Sequence, residues 1–146
     1  MGAVKVVVDT NVVVSALLFG GTPGKLIPLW QGPAIRPLAS KQIIDEYLRV
    51  LTYPRFKLSE EDINFLLYNE ILPYFELIKV DPGERIIAKD KEDDKFIQCA
   101  LIGKAKFIIS GDHHLLAIKS YRKIKILSPA DFLLEVKKLA TDARRR

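Results

Sequence analysis

The chain holds one cysteine, Cys99, and two histidines, the adjacent His113 and His114. A single thiol excludes an internal disulfide framework and a cysteine-rich zinc site. Two neighbouring imidazoles exclude a metal centre built from a distributed histidine cluster. Gly and Pro number eight each in 146 residues, too few for a collagen-like or disordered chain. No apolar run approaches the roughly 20 residues that span a bilayer. Val6-Val7-Val8 stops at Asp9, so no signal-peptide core is expected. The expected location is intracellular, in the cytoplasm, with no membrane partner.

What remains is ordinary for one soluble globular domain: 49% hydrophobic and 28% charged residues in a chain of typical domain length. The net charge of +5 is uneven. Residues 119–146 carry nine of the 23 basic groups and three of the 18 acids. That segment is therefore basic on a near-neutral body, and a basic tail from about residue 137 ends in Arg144-Arg145-Arg146. Such an end suits a polyanion, and Lys123, Lys125, Arg144, Arg145 and Arg146 are candidate nucleic-acid contacts. A solvated, frayed terminus is an equal alternative.

Val4 to Val8 is nearly all β-branched, the pattern of a strand buried on both faces. Helical spacing follows over residues 12–19, and Thr22-Pro23 can start another turn. Further strands are expected at 35–39, 76–80, 107–109 and 124–127. Helices are expected after Ser40, after Ser59, from Asp93 or Asp94, and after Pro129. Alternating strands and amphipathic helices predict an α/β chain with a parallel sheet of about five strands, covered on both sides. Ligands in such sheets sit at the carboxyl ends of the strands.

Acids stand at those ends. Asp9 follows the first strand and Asp112 the fourth. Either alone is as well explained as a helix N-cap; together they point to a site. In Asp90-Lys91-Glu92-Asp93-Asp94, Asp93 precedes Phe96, Ile97, Ala100 and Leu101 by three, four, seven and eight residues. That phase sets Asp93 on the buried face, with Asp94 at its edge. In the Ser40 helix, Asp45 has Lys41 and Arg49 at four-residue offsets and reads as a surface ion pair. Glu46 has neither, so it is the better pocket carboxylate, although Arg49 lies three residues on. Several carboxylates in one crevice repel unless a cation sits among them. Oxygen-only ligation suits Mg²⁺ or Mn²⁺, ions of phosphoryl chemistry.

Asp9-Thr10-Asn11-Val12-Val13-Val14-Ser15-Ala16-Leu17, Asp90 to Phe96, and Ser110-Gly111-Asp112 together resemble the motifs of the PIN-domain nucleases, with Glu46 where that family places its second acid. The match runs from about Val4 to Leu127. It is nearest to prokaryotic members described as toxin components of toxin–antitoxin pairs. The resemblance implies a single PIN-like domain over residues 1–146, with a three-layer α/β/α fold. It implies a Mg²⁺- or Mn²⁺-dependent endoribonuclease, a homodimer, and an antitoxin partner. On it, Asp9, Glu46, Asp93 or Asp94, and Asp112 hold metal and orient water, while Thr10, Asn11 and Ser110 position the carboxylates. Counting back from Asp112 without gaps favours Asp94 over Asp93. Where many members have a further Asp, this chain has His114, which bears on a second metal site. Two other readings stand beside it. One is a catalytically weak or inactive RNA-binding module on the same fold. The other is a phosphoacceptor using Asp9, which wants a second acid at position 11, where Asn11 stands.

Overall fold

The run Val4–Val8 forms β1, and Val6, Val7 and Val8 are all fully buried. Burial of three consecutive side chains requires cover on both faces of the strand. The computed structural model describes residues 2–81 and 94–144. Within them the chain runs through β1, α1 (Thr10–Leu18), α2 (Gly21–Gly24), α3 (Leu26–Gln31), β2 (Ile35–Ala39) and α4 (Lys41–Leu51). A 3₁₀ turn at Pro54–Phe56 follows, then α5 (Glu60–Phe65), which widens into a π-helical stretch, Leu66–Ile71. The rest is β3 (Glu76–Leu77), α6 (Asp94–Gly103), β4 (Phe107–Ile109), α7 (His113–Ile118), β5 (Ser120–Tyr121), β6 (Ile124–Leu127) and α8 (Pro129–Arg144).

The sheet order is β3-β2-β1-β4-β6-β5. Every pairing is parallel except β5 with β6. The α/β/α architecture expected from the alternation is therefore present, with one extra strand. That strand, β5, closes a hairpin through Arg122 and Lys123, whose φ angles are 45° and 72°. Left-handed turns of this kind ordinarily announce themselves as Asn-Gly or Asp-Gly; here two cations do the work, and the sequence carried no hairpin signal. The third strand is also shorter than expected, two residues rather than five.

From β1 the chain moves outward to β2 and β3, then returns to the other side of β1 as β4. The strand order thus reverses between β1 and β4, which opens a crevice at their carboxyl ends. Helix α6 packs across β1, β2 and β4, burying Phe96, Ile97, Cys99 and Ala100. Burial pushes the Cys99 thiol up to about 12, so it stays a neutral packing group. The fit is close at the end of that helix: a Cβ on Gly103 would lie 2.5 Å from Leu38 Cδ1 and 3.1 Å from Ile78 Cδ1. Leu38 is fully buried and has little room to yield. Gly103→Ala is expected to cost about 1–3 kcal/mol in urea unfolding; a neutral or stabilising effect would show that β2 and α6 can separate freely.

Candidate active site

Asp9 takes its place from the sheet. Its backbone N–H extends the β1–β4 ladder by donating to Ile109 O at 2.9 Å. It stands at the N-cap position of α1, yet its carboxylate makes no capping hydrogen bond there. Instead Oδ2 accepts from the Ser110 hydroxyl at 2.6 Å, and Ser110 Oγ accepts from the Asp112 N–H at 2.9 Å. A short relay therefore ties the ends of β1 and β4 together. Asp112 does serve as a cap: its Oδ1 accepts from the His114 N–H at 2.7 Å, at the start of α7. The cap reading thus fails for Asp9 and holds for Asp112. The His114 side chain itself is exposed.

Glu46 arrives from α4. Ser40 caps that helix by accepting from the Ile43 N–H, and the buried Tyr47 hydroxyl donates to Val8 O, the last residue of β1. This bond locks α4 against the strand end and turns Glu46 toward Thr10, whose hydroxyl donates to Glu46 Oε2. The other carboxylate oxygen, Oε1, lies 2.7 Å from Lys95 Nζ and 3.4 Å from Arg49 Nη2. Asp45, by contrast, pairs with Lys41 on the surface at 2.9 Å, as its spacing implied. Lys95, one residue into α6, was absent from the sequence-derived site. No rule of spacing places a cation from a later helix against Glu46. Its side chain is 10% exposed and that of Glu46 12%, so this is a largely desolvated ion pair.

Asp9, Thr10, Asn11, Glu46, Arg49, Tyr53, Lys95 and Asp112 line one cleft of about 350 Å³. Asp94 opens α6 immediately before Lys95 and is half-buried. Asp93 lies outside the described residues, as do Arg145 and Arg146. Lys123 and Lys125 are placed elsewhere. Lys125 stands level with Phe107, and Phe107 with Val6, three residues before Asp9. That is roughly 10 Å back along the strands, and Lys125 pairs with Glu135 of α8 at 3.5 Å. Arg144 ends α8.

Burial raises the Asp9 carboxyl above the usual carboxylate range, and the charges of Asp112 and Glu46 raise it further. The Ser110 hydroxyl and the Thr10 N–H oppose that rise. Such a group favours a neighbouring cation. Among the described residues no three His, Cys, Asp or Glu side chains are grouped to hold a metal ion, and Glu46 is engaged by Lys95 and Arg49. Mg²⁺ and Mn²⁺ ask for less: one or two carboxylates, with water and substrate phosphate completing the shell. Asp9 and Asp112 fit that requirement as an oxygen-only pair.

A PIN-domain family model matches residues 5–114, a span that contains Asp9, Glu46 and Asp112. An uncharacterized protein of Methanocaldococcus jannaschii is 31% identical, over 92% of this chain and 93% of its own length. Among the described residues, no single helix is long and apolar enough to cross a membrane.

Proposed function

Because the chain belongs to the PIN-domain family, whose members are generally nucleases, we propose that it is a Mg²⁺- or Mn²⁺-dependent endoribonuclease. The observation that carries this reading is the meeting of Asp9, Glu46 and Asp112 in one cleft that also presents Arg49 and Lys95. Asp9 and Asp112 would hold the ion, with Asp94 or Asp93 beside them. The ion would supply charge for the phosphate oxygens and acidify the attacking water.

The chain's own residues do the rest. Ser110 and the Thr10 N–H hold the Asp9 carboxylate in one orientation and favour its ionised form. Thr10 and Lys95 fix Glu46, leaving it to orient the water on the face opposite the leaving ribose oxygen. Arg49 and Lys95 counter the negative field that the acids would present to an incoming phosphate. Asn11, exposed at the mouth of the cleft, would contact the RNA strand. The water oxygen bonds to phosphorus, the bond to the ribose oxygen breaks, and that oxygen takes a proton.

The wider biological reading is a toxin restrained by an antitoxin, in the cytoplasm. It is supported by the resemblance of the Asp9–Leu17 and Asp90–Phe96 stretches to that subgroup. A homodimer is supported by Phe65 and Tyr68, apolar side chains left 58% and 63% exposed. One observation favours the second reading, an RNA-binding module with weak or no catalysis: Glu46 is already neutralised by two cations.

Incubation of a labelled single-stranded RNA with Mn²⁺ separates the two. Cleavage that EDTA stops, and that falls at least about 100-fold in Asp112→Asn, is the expected result. RNA that stays intact with every divalent ion, yet binds in a salt-sensitive way without metal, would leave only the binding module.

A further inference from the structure

Next to the acid cleft, and sharing Asn11 with it, lies a second concavity of about 380 Å³. Its wall is aromatic and basic. Phe19, at the end of α1, meets Phe56 with ring centroids 5.9 Å apart and planes tilted by 52°. The Arg55 guanidinium lies 4.8 Å from the Phe56 centroid and 5.7 Å from that of Tyr53. Tyr53 in turn lines the acid cleft. The two hollows therefore form one continuous surface running from Asp9 to Phe19.

The exposure of these rings needs a reason. Phe19 is 70% exposed and Tyr53 40%, and both flank the same guanidinium-bearing turn. Single exposed apolar residues are common, but rings grouped around a guanidinium are a recognition surface. The surrounding charge selects the occupant. Among the described residues, Arg55 is the charged residue lining this concavity, and it lines it without an acid, while Arg49 lies in the adjoining cleft, paired with Glu46. Cations interleaved with rings match the alternation of phosphate and base along a single strand. An apolar protein segment would find the rings but would leave the Arg55 guanidinium to be desolvated without an anion.

We infer that this concavity seats an unpaired RNA base beside the phosphate held in the acid cleft. The base stacks on the exposed Phe19 ring, and Arg55, held over Phe56, faces the adjoining phosphate. The inference rests on the ribonuclease reading and deepens it: the substrate is a strand whose base can be splayed away from its neighbours. A duplex, with its bases paired and stacked, cannot fill the hollow.

Binding of a fluorescent eight-nucleotide single-stranded RNA, measured in EDTA at low salt, tests this apart from catalysis. Phe19→Ala and Arg55→Ala should each weaken binding about fivefold or more. Both side chains are exposed, so the unfolding midpoints should stay near that of the parent chain. Phe19→Trp should keep the affinity, and its indole emission should be quenched as RNA is added. Binding of a blunt-ended, fully paired RNA duplex should not respond to Phe19→Ala. If the unaltered chain binds and cleaves RNA while these variants bind it equally well, the base site is overturned and the ribonuclease reading survives; a protein would then be the occupant of the rings. If the unaltered chain neither binds nor cleaves RNA, both fall together.

Discussion

Asp9→Asn is expected to abolish RNA cleavage while making the protein more stable. The activity loss follows from removing the charge that would hold the ion and face the phosphate, with an expected drop of about 10³-fold. The stability gain follows from the electrostatics of the free chain. The Asp9 carboxyl is raised by burial and by Asp112 and Glu46, so its ionised form is disfavoured in the folded state relative to the unfolded one. A raised acid binds its proton more tightly when folded. Its favourable contribution is therefore present at low pH and is lost as pH rises through the folded-state value. At pH 7 the ionised Asp9 weakens the metal-free fold, and the neutral amide should recover about 0.5–2 kcal/mol, the range typical of relieved active-site strain. The difference should shrink as pH falls through the raised folded-state value and close below the unfolded-state value near 3.8, where the carboxyl is protonated in both states. Urea unfolding of both proteins in EDTA across that range checks the sign. An Asp9→Asn variant less stable at pH 7 would mean that the Ser110 hydrogen bond outweighs the burial and repulsion of the charge.

The second large effect is at Lys95. Its ammonium lies 2.7 Å from Glu46, and both side chains are nearly nine-tenths buried. Lys95→Met keeps the length of the stem but leaves Glu46 with a lost partner in a poorly solvated place. Breaking one side of such a pair costs about 3–5 kcal/mol. For a domain of this size that lowers the thermal midpoint by roughly 6–20 °C. Arg49, 64% exposed at 3.4 Å, is too well solvated to replace Lys95 fully. The double variant Lys95→Met with Glu46→Gln removes both charges and should be more stable than Lys95→Met alone. Thermal unfolding of the four proteins in the cycle measures the coupling. A Lys95→Met midpoint within a degree or two of the parent would show that the pair is as weakly coupled as an exposed one.

The sheet and the two strand-end acids were legible because their signals are local. A β-branched run ending in Asp9, and Phe107-Ile108-Ile109 ending near Asp112, announce buried strands and their carboxyl ends without any knowledge of topology. Glu46 was legible by subtraction, since its helical neighbours offered no four-residue cation. That same argument missed Lys95, because the cation comes from α6, 49 residues later in number, and sequence offsets see only one helix at a time. The hairpin at Arg122-Lys123 was missed because residues that rarely adopt left-handed angles do so there. Asp9 and Asp112 looked alike as helix caps; only the structure separates the carboxylate that caps from the one that turns to Ser110. The basic tail drew attention by its charge, yet Lys123 and Lys125 stand at the opposite end of the strands from Asp9. Among the described residues, the cations lining the cleft with the acids are instead Arg49 and Lys95, which in the sequence are hidden among ordinary amphipathic helices.

The central claim is that the crevice at the ends of β1 and β4 is a metallonuclease site. Calorimetric titration of Mn²⁺ into the parent chain and into Asp9→Asn, followed by addition of a fluorescent single-stranded RNA to the same samples, addresses it most directly. The expected result is saturable Mn²⁺ binding and RNA cleavage in the parent chain, both lost in Asp9→Asn although that variant unfolds at a higher temperature. Equal binding of RNA by both proteins, with no heat of metal binding in either, would contradict it and leave Asp9 and Asp112 as structural acids at the ends of two strands.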